Sequence, residues 1–358
     1  MTILFKYILK EILKQFAVIA TVVIVVYIAI DFFDKINRVL DSGLPLSEFL
    51  TYFLLKIPLV IVQITPGAAL IATLVVFGLM KRHNEITALK SSGLGIGVLL
   101  KPAVVTGTGF CLMLFVLSEM VVPVTISQAN LIWLKKVRHK DSTKVKRNDI
   151  WIKDDRLIMH IDWYNPDKTT AFGVTLNFFD AAFNLVRRVD ARKAVFSDSK
   201  WDLIGTMDNR FDENGDLQQA AAAGYLTVDI DISPEDLGRA AKSTEEMGFF
   251  ELLRYIKKIA AEGYSTASYR VDLHAKIAFP FICLLMSLLG TGLGASGRAM
   301  GGMAATIAYG IGISFAYMMI YAFSLSLGYG GILPPVIAAW SANIVLLLVV
   351  WGVLVKFR

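Results

Sequence analysis

Charge is scarce in this 358-residue chain. Asp, Glu, Lys and Arg make up 18% of it, against about 25% in an ordinary soluble domain. That shortfall argues against disorder and against a soluble enzyme. Cysteine is nearly missing: only Cys111 and Cys283 are present, and both lie in apolar runs. Neither a disulfide framework nor a cysteine-based metal site is expected. His83, His139, His160 and His274 fall in separate segments, and there is no His-Glu-x2-His zinc helix. A Gly-x4-Gly-Lys-[Ser/Thr] phosphate loop is also missing. Gly290-Thr-Gly-Leu-Gly294 is glycine-rich but lacks the lysine, so it reads as helix packing. Ser118-Glu119 has no histidine near it in sequence. With no catalytic constellation, the chain is expected to be no enzyme and to bind no metal or cofactor. Any energy source belongs on another chain.

What the chain does have is apolar residues, 55% of the total, with a mean hydropathy of +0.58. A helix needs about 20 mostly apolar residues to cross a bilayer. Residues 15–30 are free of charge and run on through Phe32 and Phe33, giving span one. The stretch before them is amphipathic, and no small-residue cleavage site follows, so this span is expected to be retained. Residues 57–80 give span two, with Pro66-Gly67 as a tolerated kink. Residues 102–134 carry one charge, Glu119, and give span three with an extension. Residues 277–297 give span four. Residues 299–355 hold no charge and are too long for one crossing. Gly328-Tyr-Gly-Gly-Ile-Leu-Pro-Pro335 divides them into spans five and six.

The net charge is +6, and its placement orients the spans. Lys6, Lys10 and Lys14 precede span one, and Lys356 and Arg358 follow span six. Loop 81–101 holds Lys81, Arg82, Lys90 and Lys101 against Glu85, and Arg298 marks another basic loop. Loop 31–50 instead carries four acids against Lys35 and Arg38. Basic loops stay in the cytoplasm, so both termini and the loops near 90 and 298 are expected there. Nucleic acid is not an expected partner.

Residues 135–248 are polar and rich in β signals. In Arg156-Leu-Ile-Met-His-Ile-Asp-Trp163, Leu157, Met159, Ile161 and Trp163 share one strand face. Asn165-Pro166-Asp167 marks a turn and Asn214-Gly215 a hairpin. Residues 171–179, 191–199, 201–208 and 225–232 are further strand candidates. This spacing predicts an antiparallel sandwich or jelly roll, outside the cytoplasm. Residues 249–261 read as a helix ending at Gly263. The fold class is therefore an α-helical polytopic membrane protein with six transmembrane helices and an inserted, jelly-roll-like all-β domain. Its divisions are 1–134 with a cytoplasmic loop 81–101, then 135–248, then 249–358.

Four groups of residues stand out. At the end of span one, Asp31 with Lys35 and Asp34 with Arg38 are i,i+4 pairs beside Tyr27. They read either as helix-end salt bridges of about 0.3–0.5 kcal/mol each or as a charged rim for a polar head group. In span five, Ala304, Ala308, Gly312 and Ala316 form a row of small residues. Such a row allows close helix contact, with a span of the same chain or with a partner subunit. Residues 135–147 hold seven Lys or Arg and one acid, Asp141, either a solvated connector or an attractor of lipid phosphates. In loop 81–101, Asn84 suits an N-cap, Glu85 the first turn, Lys90 the last turn and Gly93 the C′ position. A helix of about two turns is too short to stand alone. Ile86 and Leu89 give it an apolar edge to bury against a partner.

Three spans, an extracytoplasmic β domain and three more spans resemble the LptF/LptG permease family. The most specific stretches are Ile64-Thr-Pro-Gly-Ala-Ala-Leu70, Glu85-Ile-Thr-Ala-Leu-Lys-Ser-Ser-Gly93, Ser118-Glu-Met-Val-Val-Pro123 and Tyr269-x4-His274-x-Lys276-x3-Pro280. Ile332-Leu-Pro-Pro335 and Phe32-Phe-Asp34 look more like LptG than LptF. The resemblance implies a permease subunit in the bacterial inner membrane that extracts lipopolysaccharide and passes it to a periplasmic bridge. It implies an LptF-like permease partner, an LptB-like ATPase dimer carrying ATP-Mg, an LptC-like bitopic protein and an LptA-like bridge. Span one of one subunit and span five of the other would form lateral gates to a cavity. Asp31, Asp34, Lys35, Arg38, Tyr317 and Tyr321 would then lie at its rim. Loop 81–101 would be the coupling helix, with Arg82, Glu85, Ile86 and Leu89 meeting the ATPase. Relatives often carry more lysine at the end of span one, where this chain has Asp31 and Asn37, so a simple electrostatic grip on lipid phosphates does not follow. A permease for another lipid or lipoprotein is the alternative, as is a non-transporting envelope scaffold.

Overall fold

The computed structural model describes residues 3–42, 45–133, 150–154, 156–165, 169–197, 200–212, 215–230, 234, 237, 243–261, 265–296 and 302–357. The basic segment 135–147, Arg298, Asn214 and the turn at 166–167 lie outside these residues, and so does the Arg38 side chain. The helices are α1 (Ile3–Ser42), α2 (Leu46–Arg82), α3 (Glu85–Ser91), α4 (Ile96–Val116), α5 (Val122–Ile132), α6 (Phe249–Ala261), α7 (Ala267–Ser296), α8 (Met303–Tyr329) and α9 (Pro335–Phe357). A π-helical turn, Leu117–Val121, joins α4 to α5. Six helical stretches are long and apolar enough to cross a membrane: α1, α2, α4 through α5, α7, α8 and α9. These are the six apolar runs of the sequence.

The chain divides into two compact units. One comprises residues 1–140, 244–256 and 265–358, and the other residues 141–243 and 257–264. In the helical unit, α2 and α7 form the centre: 72% of the most apolar stretch of each is buried, against 6% for α1 and 17% for α8. Glycine makes the central contact possible. A Cβ on Gly294 would lie 2.8 Å from the Leu74 carbonyl oxygen, and one on Gly292 would lie 2.8 Å from Val353 of α9. On the far side of α7, a Cβ at Gly107 of α4 would sit 2.9 Å from Leu284 Cα. The glycine-rich stretch is thus a packing device, as its missing lysine indicated. Leu70, Leu74, Leu285, Leu289 and Leu346 fill the core these approaches create.

The second unit holds one antiparallel sheet with strands in chain order: β1 (Ile150–Asp154), β2 (Leu157–Asn165), β3 (Thr170–Phe179), β4 (Leu185–Ser197), β5 (Lys200–Phe211) and β6 (Leu217–Val228). Met159 pairs with Leu176, which pairs with Val189. Period-two alternation sends these, with Ile161, Val174 and Leu203, into a single core that also holds the fully buried Trp201. A jelly roll shares its strands between two sheets. Here all six described strands hydrogen-bond into one, because each hairpin returns directly beside its predecessor. The sequence does not mark β1, because Ile150-Trp-Ile-Lys-Asp154 is short and ends in charge, and β6 runs over Leu217–Val228 instead of 225–232, its alanine-rich first half carrying no alternation.

Candidate functional site

The last turns of α1 lie beside the first turns of α2, and three charges meet there. Lys35 Nζ donates to Asp31 Oδ1 at 2.5 Å, and Lys56 Nζ of α2 donates to Asp31 Oδ2 at 3.2 Å. All three side chains are 13–15% exposed. Aromatic rings enclose the ammonium groups. Lys35 lies 5.1 Å from the Tyr52 ring centre and 5.5 Å from that of Trp133, and Lys56 lies 5.4 Å from Tyr52 and 5.9 Å from Tyr27. Tyr52 and Trp133 themselves pack at 5.4 Å. Ring faces are attractive to cations, most of all where water is thinned. Two cations therefore share one carboxylate in a ring-lined niche. Asp34 is exposed on the same helix.

The sequence alone does not single out Lys56, because its partner is 25 residues away. The available signal was a lone lysine at the edge of an apolar run, which marks a functional candidate. The tyrosines behave differently from the span-one charges. Tyr317 is buried, and its hydroxyl donates to Asn343 Oδ1 at 2.6 Å while Asn343 Nδ2 donates to the Ala278 carbonyl at 2.8 Å. It ties α8, α9 and α7 together inside the helical core. Tyr321 packs 5.7 Å from Phe279 and lines a separate cavity of about 230 Å³. Neither tyrosine joins the Asp31 niche, whose neighbours are Phe32, Phe49 and Phe53.

Helix α3 forms where expected, over Glu85–Ser91. Its C-terminus is a Schellman motif: the Leu94 N–H donates to the Leu89 carbonyl at 3.2 Å and the Gly93 N–H to the Lys90 carbonyl at 3.0 Å. Gly93 takes φ +78°, the left-handed conformation this motif demands. The N-terminus differs from expectation. Asn84 has φ 61° and makes no side-chain capping bond. The apolar edge also differs. Ile86 is fully buried, and Leu89 packs partly, against Ile8, Ile12, Phe77, Met80 and Leu99 of the same chain. The short helix is thus stabilised within its own subunit. What it leaves exposed is Thr87, Ala88, Lys90, Ser91 and Ser92, with Glu85 part-exposed and 4.0 Å from His83, and Arg82 exposed beside it.

The small-residue row of α8 faces outward. Ala304, Ala308, Gly312 and Ala316 are all exposed, and no atom lies within 4 Å of where a Gly312 Cβ would be. The opposite face, with Thr306, Gly310, Tyr317, Tyr321 and Ser324, packs inward. Among the described residues, the row therefore packs against no other span. On α1, Val18, Val22, Val25, Ile30 and Phe33 are likewise exposed.

The family model described as lipopolysaccharide export system permease LptF/LptG matches residues 6–356. No curated protein matches the chain.

Proposed function

The chain belongs to the lipopolysaccharide export permease family LptF/LptG, and from that premise we propose that it is the LptG-like half of an ATP-driven exporter. As a member of that family it is a transport subunit with six apolar helices and an inserted β domain. The finer reading is that it pairs with an LptF-like permease, draws on ATP-Mg hydrolysis by two LptB-like chains, and binds an LptC-like protein. The β domain, on the periplasmic side, passes lipopolysaccharide to an LptA-like bridge, and both termini lie in the cytoplasm.

The observation that carries this reading is the outward-facing small-residue row of α8, on a helix that packs mainly by its other side. Small residues make close helix contacts in lipid, so a second permease fits this face. The Asp31–Lys35–Lys56 niche supplies cations for lipid phosphates, and the exposed face of α3 supplies a docking surface for the ATPase. The test is reconstitution with a permease partner and its ATPase in proteoliposomes. ATP-dependent transfer of lipopolysaccharide to a soluble periplasmic acceptor is expected. Transfer of phospholipid or lipoprotein instead, or assembly without any transfer, would overturn the assignment.

A further inference from the structure

Two sequence stretches remain unexplained by substrate or ATPase contacts: Ser118-Glu-Met-Val-Val-Pro123 and Tyr269-x4-His274-x-Lys276-x3-Pro280. Each places a charged residue four positions before a proline. Proline has no N–H, so it cannot bond the carbonyl four residues back, and the helix ladder opens at that charged residue. At Glu119 the result is the π-helical turn Leu117–Val121. Such turns redirect side chains and often mark functional positions.

Both stretches converge on residues 244–256, where the chain rejoins the helical unit. Glu119 accepts from the Phe249 N–H with Oε2 and from the Phe250 N–H, at 3.5 Å, with Oε1. These are the first amides of α6, which have no partner inside the helix, and a carboxylate there is further favoured by the helix dipole. Gly248 leaves room for this approach, since a Cβ there would stand 2.9 Å from Glu119 Oε1 and the carboxylate would have to shift. Nearby, Asn130 Nδ2 donates to Glu246 Oε1 at 2.8 Å. The other stretch grips the same segment from α7. Tyr269 packs edge-on to Tyr255 at 5.3 Å, and Leu273 buries against Met247, Leu252 and Ile256. Lys276 lines the cavity with Asp272 and Glu245, and it feels the charges of Glu119, Asp272, Glu245 and Glu251. Asp272 also accepts from the Tyr329 hydroxyl at 2.5 Å. One cation thus sits among carboxylates from three parts of the chain.

We propose that these two stretches form a clamp that fixes the return segment 244–256 to spans three and four, with Glu119 as its positioning residue and Lys276 as its counter-charge. The clamp holds that segment to the spans, so that movement of the spans during transport is carried into it. Its role in transport rests on the function proposed above, while the clamp itself does not.

The test uses the assembled exporter in lipid nanodiscs. Hydrogen exchange of the Phe249 and Phe250 amides is expected to rise roughly tenfold in Glu119→Ala, the size of effect a lost helix cap produces. Glu119→Gln, which keeps an acceptor oxygen, restores part of the protection. Gly248→Ala, acting from the other side of the contact, and Lys276→Met also speed exchange. Lipopolysaccharide released per ATP falls at least about twofold, in the range seen when coupling networks are cut, while hydrolysis continues. Unchanged exchange in both Glu119→Ala and Gly248→Ala would overturn the clamp. Faster exchange with wild-type release per ATP would overturn its part in transport. If the wild-type complex releases no lipopolysaccharide, the transport reading fails, and the exchange data still judge the clamp.

Discussion

Lys56 of α2 reaches Oδ2 of Asp31 on α1 at 3.2 Å, while Lys35 takes Oδ1 of the same carboxylate. The two residues stand 25 apart in sequence, yet their pairing converts a local helix-end salt bridge into a niche with one cation in excess of its carboxylate. An i,i+4 pair alone would be self-neutralised and worth a few tenths of a kcal/mol.

The niche makes opposite predictions for its two signs of charge. Lys56→Met removes a cation worth about 1 kcal/mol near an anionic head group. Photo-crosslinking of lipopolysaccharide from a probe beside the niche is then expected to fall about fivefold. Asp31→Asn frees both lysines and is expected to hold or raise it. Equal crosslinking in both variants and wild type would show that the niche serves only to brace α1 on α2.

The two faces of α8 separate assembly from folding. A Cβ at Gly312 meets no described atom within 4 Å, so Gly312→Leu is expected to leave the permease its thermal stability. Its partner permease is expected to bind at least about tenfold more weakly, or about 1.4 kcal/mol. Gly310→Leu is the contrast, because a Cβ there already lies 2.9 Å from Ile71 Cγ1. Overpacking of that kind costs about 1–3 kcal/mol and is expected to lower the melting temperature. Wild-type co-purification of the partner with Gly312→Leu would make the row a lipid-facing surface.

The elements legible in the sequence are those fixed by local physics. Six apolar runs could be counted because bilayer thickness sets their length. The end of α3 could be placed because Gly93 suits a left-handed position, and most strands because alternation is local. What escaped depends on distant chain. The Glu119 acceptors lie 130 residues from their donors, and Lys56 found its partner on another helix. The sequence presents Ile86 as an edge awaiting another protein, because nothing near it in sequence shows that Ile8, Phe77 and Leu99 converge there. Period and spacing report which face is apolar and do not report what covers it.

The β sheet should lose stability in acid through one pair. Arg187 on β4 donates to Asp208 on β5 with Nε at 2.9 Å and Nη2 at 2.7 Å. The guanidinium holds the Asp208 carboxyl below the usual carboxylate range. A carboxyl depressed in the folded state adds stability above its unfolded pKa of about 3.9, and that stability is lost as pH falls through the lower folded value. Asp208→Asn is expected to cost about 1–2 kcal/mol at neutral pH for a partly exposed charge-assisted pair. The difference from wild type, read as amide exchange across β4 and β5 at each pH, should shrink as the pH falls through the carboxylate range. A difference that stays constant down to strongly acidic pH would show that the pair adds no pH-dependent stability.

Helix α3 offers the sharpest test of coupling, because its inner and outer faces have different tasks. Ile86 is buried under Ile8, Ile12 and Met80, so Ile86→Asp puts an unpaired charge into a core. That variant is expected to damage the fold itself, which makes any loss of ATPase binding uninformative. Leu89→Asp is compromised for the same reason, since Leu89 packs on that core too. Glu85 and Ala88 are accessible, and neither closes an apolar contact. Glu85→Arg reverses a charge at the start of the helix, and Ala88→Arg adds bulk and charge to its outer face. Both are expected to leave insertion and pairing with the partner permease intact. Binding of the ATPase should weaken at least about tenfold, or about 1.4 kcal/mol, or hydrolysis should continue without lipid release. Co-purification and proteoliposome release assays read the two possibilities separately. Full ATPase retention with full coupled release in both variants would remove α3 from the coupling mechanism and leave its exposed face as ordinary solvated surface.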